Sequence, residues 1–192
     1  MVAQIALALA LAIAVFFSDR FWGAPVSEFD RWAAGLLTAG LNGGMVLAFG
    51  PVPFWYFPIV AMLSVVSVVD RAHHIIPNRW VLGLGGCALW ARASSGAWQA
   101  SVGVALIVLA FFLAVHFVTQ GGLGMGDVKL SGVVALALGY PATVTAIVTG
   151  LWAAGLYAVF LLVRHRSHRP KTLPLGPFLA LGGLVGLVEL LH

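Results

Sequence analysis

The chain has 192 residues, of which 61 % are hydrophobic and 8 % charged, with a mean hydropathy of +1.04; that balance excludes a soluble globular domain and places the protein in a membrane. Ten Lys and Arg against six Asp and Glu give a formal charge of +4. The bases lie in short connectors between apolar blocks, so they orient the chain in a bilayer and do not form a nucleic-acid surface. The lone Cys87 sits inside an apolar block and excludes an intrachain disulfide or a cysteine-based zinc site.

In chain order, the apolar blocks predict helices over roughly 2–17, 32–49, 54–69, 80–91, 101–118, 128–139, 142–163 and 172–191. None shows the alternation of a membrane β-barrel, so the fold class is all-α, a polytopic transmembrane helical bundle of about eight spans. The first block has no basic residues before it, and Ser18-Asp19-Arg20-Phe21-Trp22 offers no small-x-small cleavage site, so it reads as a retained span and not a signal peptide. Gly50-Pro51-Val52-Pro53 and Gly139-Tyr140-Pro141 predict two tight hairpins. The 80–91 block is short for a bilayer, which calls for extension by its neighbours or for local thinning. No repeat or long linker divides the chain: one domain over 1–192 is expected, with 1–49 as two leading spans and 50–192 as the core.

Charge tests this count. With the amino terminus outside, the connectors 18–31, 70–79, 119–127 and 164–171 are cytoplasmic. They hold or adjoin Arg20, Arg31, Arg71, Arg79, Lys129, Arg164, Arg166, Arg169 and Lys171, leaving only Arg92 on the other side. Asp70 and Asp127 both fall on the cytoplasmic side, two spans apart, so the chain leaves and returns between them.

Ionisable residues at a membrane boundary are costly and mark functional sites. Asp70 follows an apolar run and precedes Ile76-Pro77-Asn78, where the proline disfavours regular helix. Asp127 follows the glycine-rich Gly121-Gly122-Leu123-Gly124-Met125-Gly126. Irregular backbone at membrane depth survives only inside protein or beside water, so a wet cavity is expected between the two carboxylates. Carboxylates brought close cannot both ionise cheaply; sharing one proton, one accepts a proton from water while the other donates to a scissile carbonyl oxygen. Gly124 and Gly126 would let a substrate backbone approach, and Lys129 reads as a tuner of the pair, a lipid contact or a plain topological anchor.

Other polar groups carry less. Each aspartate alone could pair with a nearby base, Asp70 with Arg71 or Arg79 and Asp127 with Lys129. His73, His74 and His116 lack the spacing of a metal site. The basic run Arg164 to Arg169 reads as an anionic-lipid and topology feature, Glu189 as an interfacial group, and Asn42-Gly43-Gly44 as a close helix contact or kink.

Gly124-Met125-Gly126-Asp127, the following Lys129, Asp70 with Ile76-Pro77-Asn78, and Leu173-Pro174-Leu175-Gly176-Pro177-Phe178-Leu179-Ala180 together resemble the type IV prepilin leader peptidases, relatives of the preflagellin peptidases, over roughly residues 50–192. The resemblance implies a membrane aspartyl endopeptidase that removes the leader of prepilins or pseudopilins at the cytoplasmic face of the bacterial inner membrane. Asp70 and Asp127 would be the catalytic pair and Gly124, Gly126, Lys129, Pro77 and Asn78 would support them, with no cofactor and no metal. Larger family members carry a cysteine-bearing region between their first two spans and methylate the new amino terminus. Here that connector, Ser18 to Arg31, has no cysteine, so methylation is not expected. Presenilin-type relatives share the GxGD signature, but their proline-alanine-leucine segment is not found here. A proton-coupled transporter using the aspartates as relay groups and a noncatalytic assembly factor are the readings from other classes.

Overall fold

The computed structural model describes residues 2–17, 26–164 and 174–192. Among the described residues there are eight α-helices and no strand: α1 (Val2–Phe17), α2 (Glu28–Phe49), α3 (Tyr56–His73), α4 (Asn78–Ser94), α5 (Trp98–Val118), α6 (Met125–Leu138), α7 (Ala142–Arg164) and α8 (Gly176–Glu189). Helices α2, α3, α5 and α7 are each long and apolar enough to cross a membrane, and α1 and α8 carry shorter apolar stretches. Both expected hairpins form: Gly50 and Gly139 end α2 and α6 at φ 78° and 64°, a backbone region that glycine enters without steric cost. Arg20 and the basic residues from 165 to 171 lie outside the described residues.

The helix ends differ from the sequence expectation in ways that matter for the site. Ser27 caps α2, its side chain accepting from Asp30 N at 3.2 Å, so this helix begins at Glu28 and takes in charged residues that an apolar count leaves out. Helix α3 does not stop at Val69. It runs to His73 and ends on His74 in the left-handed conformation, whose N–H bonds the Asp70 carbonyl at 2.8 Å. Pro77 restrains mainly the residue just before it, which leaves Asp70 inside the last helical turn and not in irregular chain. Helix α4 has 17 residues: the flanking residues 78–79 and 92–94, Arg79 and Arg92 among them, extend the apolar block 80–91 at both ends. Helix α6 begins at Met125, which puts Asp127 in its first turn and not in the break before it.

Helix α3 is one centre of the bundle, packed by α1, α2, α4 and α8; α6 is the other, packed by α4, α5, α7 and α8. Of the most apolar stretch of α3, 67 % is buried, against 17 % in α5 and in α7, which present their side chains outward. One apolar cluster joins Ala8, Val46, Phe57, Leu63, Leu138 and Leu187, and so ties α1 to α8 through the two central helices. Helices α7 and α8 meet at backbone contact: a Cβ on Gly150 would stand 2.8 Å from the Phe178 carbonyl oxygen, and one on Gly186 2.8 Å from that of Ala142. Small residues permit this approach, which is how helices gain packing where lipid is as apolar as leucine.

Arg92, the exception to the charge count, has a structural task. Its Nε donates to the Ala137 carbonyl at 2.8 Å and a terminal guanidinium nitrogen donates to that of Leu138. A cation thereby closes the carbonyl end of α6, where the helix dipole favours positive charge. Helices α4 and α6 are locked together at the end opposite Asp127.

Candidate active site

Asp70 is 5 % exposed. Its Oδ2 accepts the backbone N–H of Gly176 at 2.9 Å, a contact between residues 106 positions apart. Gly176 opens α8, with Pro177 in the first turn, so the carboxylate satisfies one of the N–H groups that every helix start leaves unpaired and sits where the dipole favours negative charge. A Cβ at 176 would lie 2.7 Å from Asp70 Oδ2. Only glycine leaves room for that carboxylate.

Asp127 is half-buried in the first turn of α6, where its N–H bonds the Gly124 carbonyl at 3.1 Å. Its Oδ1 is shielded from solvent and has no hydrogen-bond partner, and it lies within electrostatic range of the Asp70 carboxylate. The two glycines of the GxGD stretch do separate jobs. A Cβ on Gly124 would stand 3.1 Å from Asp127 Oδ2, crowding the carboxylate itself, and a Cβ on Gly126 would stand 3.0 Å from Ile76 Cβ. Gly126 thus lets the α3–α4 connector press against the start of α6.

That connector brings in the remaining expected residues. Pro77, in extended conformation, caps α4. Asn78 is the first residue of that helix, and its Oδ1 accepts from Lys129 Nζ at 3.1 Å. Lys129 therefore bridges α6 to α4. The structure brings all seven expected residues, Asp70, Pro77, Asn78, Gly124, Gly126, Asp127 and Lys129, to one end of the bundle. His116 serves the same end differently: its Nδ1 lies 2.6 Å from the Leu123 carbonyl oxygen and fastens the glycine-rich break to α5. Two contributors were missed as site residues from sequence, Gly176 and Ile76. The signal for Gly176 was a glycine between two prolines at the mouth of a span; its partner, 106 residues away, was not readable.

The fold and this site define a class: a membrane helix bundle that presents two carboxylates at one end, on glycine-relieved helix termini. The model of the type IV leader peptidase family matches residues 57–162, and the chain belongs to that family. It is 29 % identical over 158 residues to the prepilin leader peptidase/N-methyltransferase of Bacillus subtilis (strain 168), covering 80 % of this chain and 63 % of that protein. It is 28 % identical over 165 residues to the protein of the same description in Burkholderia pseudomallei (strain K96243), covering 79 % of this chain and 52 % of the relative. The Aeromonas salmonicida protein is 26 % identical over 168 residues, with 80 % and 56 % covered. The chain thus spans roughly half to two thirds of the length of these curated relatives. No solved structure matches it.

Proposed function

We propose that the protein is an aspartyl endopeptidase of the bacterial inner membrane that cleaves the leader from type IV prepilins or pseudopilins at the cytoplasmic face, using Asp70 and Asp127 as its catalytic pair. The observation that carries this reading is the placement of two carboxylates at one end of the bundle, Asp70 in the last turn of α3 and Asp127 in the first turn of α6, one of them with an unpartnered buried oxygen, in a chain that belongs to the leader peptidase family. Residues 1–192 act as one unit, the two leading helices bracing the core from residue 50 onward.

The chemistry follows from the asymmetry of the pair. Gly176 N–H occupies Asp70 Oδ2, which leaves the other Asp70 oxygen to share a proton with Asp127 or to take one from water. With a single proton on the pair, the ionised carboxylate draws a proton from the attacking water and the protonated one donates to the scissile carbonyl oxygen as it gains charge. The tetrahedral intermediate then collapses and the leaving amine takes a proton from the pair. No step calls on a cofactor or a metal. The product is a mature amino terminus that this chain leaves unmethylated.

Purified protein in detergent, incubated with a prepilin, tests the reading by mass spectrometry. A leader cut at one bond, with a free amino terminus on the product, is the expected result. An uncut prepilin, together with proton-dependent solute uptake once the protein is sealed into vesicles, would mean that the aspartates are a transport relay. A methylated product from the purified protein would overturn the second half.

A further inference from the structure

Between α5 and α6 the chain runs from Thr119 to Gly124 through three glycines, Gly121, Gly122 and Gly124, residues whose backbone loses the most freedom when it is ordered. The first half of this connector closes on itself. Gln120 and Gly121 adopt φ 51° and 85°, and the Gly121 and Gly122 N–H groups donate to the carbonyls of His116 and Thr119 at 2.9 and 3.0 Å. The second half has no such closure. Gly124 starts α6 without a side-chain cap, in contrast to Ser27 at the start of α2, and Leu123 contributes an apolar side chain that packs on Val108, Phe112, Val128 and Ala135. The Leu123 carbonyl is held from α5: His116, in the last turn of that helix, places Nδ1 2.6 Å from the oxygen. Among the described residues no backbone N–H donates to that carbonyl. A carbonyl oxygen can only accept, so the ring carries a proton on Nδ1 and this nitrogen is the donor.

The next residue lies against the catalytic carboxylate. The Gly124 carbonyl accepts the Asp127 and Val128 N–H groups at 3.1 and 3.3 Å, and a Cβ at 124 would stand 3.1 Å from Asp127 Oδ2. Asp127 thus folds its carboxylate back over Gly124, and a shift of Leu123 reaches it through one peptide unit. We propose that His116 is a positioning residue for Asp127: by donating from Nδ1 to the Leu123 carbonyl it fixes the peptide before Gly124, and with it the place of the Asp127 carboxylate in the pair. The proposal rests on the peptidase reading above. The imidazole moves no proton in the reaction. Its Nδ1–H donates whether Nε2 is free or protonated, so what it supplies is placement.

The nitrogen that matters can be isolated, because the side-chain amide nitrogen of asparagine can take the place of Nδ1 and that of glutamine the place of Nε2. The test is leader cleavage by purified His116→Asn and His116→Gln, with amide hydrogen exchange over residues 119–128 measured on the same samples. His116→Gln should lower kcat roughly tenfold or more at nearly unchanged KM, the scale set by misplacing a catalytic group by a fraction of an ångström to an ångström. It should also speed exchange at Gly121, Gly122, Asp127 and Val128. His116→Asn should recover most of the kcat and the slow exchange. A histidine that served stability alone would give no such split between the two variants. If both have the same kcat, or if only KM moves, the assignment falls and the peptidase reading stands. If the wild type does not cut prepilin, the peptidase reading falls and takes the catalytic half of the proposal with it; the exchange comparison then decides the tether, and equal exchange in the two variants removes that as well.

Discussion

The two aspartates reach the same end of the bundle by different means. Asp70 lies in the last turn of α3, nearly inaccessible, and is anchored to the start of α8 by Gly176 N–H. Asp127 lies in the first turn of α6, half-buried, with its Oδ1 unpartnered, and glycines crowd less around it than any other residue would. In the proposed catalytic pair, the anchored carboxylate would fix the geometry. The other is left an oxygen for a proton, a water or a substrate carbonyl. A pair with both members fully hydrogen-bonded would have nothing to offer a substrate, and a pair with neither anchored would have no defined separation.

The comparison breaks most severely when either member is neutralised. Asp70→Asn and Asp127→Asn should each lower leader cleavage roughly a thousandfold or more, and the double variant should be little worse than either, because groups that act as a unit are grossly non-additive. Membrane insertion should be normal in all three. Gly176→Ala attacks the anchor alone. Its Cβ would fall 2.7 Å from Asp70 Oδ2, and displacement of a catalytic group by a fraction of an ångström to an ångström costs up to about a hundredfold. The expected result is a loss in kcat at nearly unchanged KM, measured on a soluble-leader fusion in detergent.

Arg92→Gln acts at the far end of α6. Removing the guanidinium leaves the Ala137 and Leu138 carbonyls without their charged donor and should destabilise the protein by about 2 kcal/mol, read as a lower unfolding midpoint in detergent. Arg92→Lys should rescue only part, since an ammonium does not reproduce the fork of the guanidinium. The smallest effect belongs to the bridge beside Asp127. Asn78→Ala and Lys129→Gln should each cost several-fold in kcat/KM, and the double variant should match the worse single one, as residues sharing one contact do. Additive losses would separate the two residues functionally.

Much of this architecture was legible because apolar blocks and prolines report on helices without reference to partners. All eight blocks became helices, and both carboxylates were singled out by the plain cost of an acid at a membrane boundary. What apolar counting misplaced were the ends. Ser27 sets the start of α2 by a side-chain hydrogen bond, and His74 and Gly124 set the end of α3 and the start of α6 by backbone conformation, neither of which a hydropathy reading registers. Arg92 looked like an exception to the charge rule because its partners, two carbonyls 45 and 46 residues away, are backbone groups that no side-chain pattern advertises. Gly176 was hidden for the same reason. Lys129, given three readings from sequence, also bonds Asn78, a contact between helices that its charge alone does not advertise.

The central claim, that Asp70 and Asp127 work as one pair holding one proton, is tested most directly by the pH dependence of leader cleavage by the purified protein. Below the lower of the two macroscopic ionisations both carboxyls are protonated and no base remains; above the upper one both are ionised and no acid remains. The account predicts that kcat/KM rises through the first ionisation and falls through the second, with an optimum between them, while the protein stays folded throughout. A profile with a single limb, or one flat over the range in which carboxylates titrate, would contradict it.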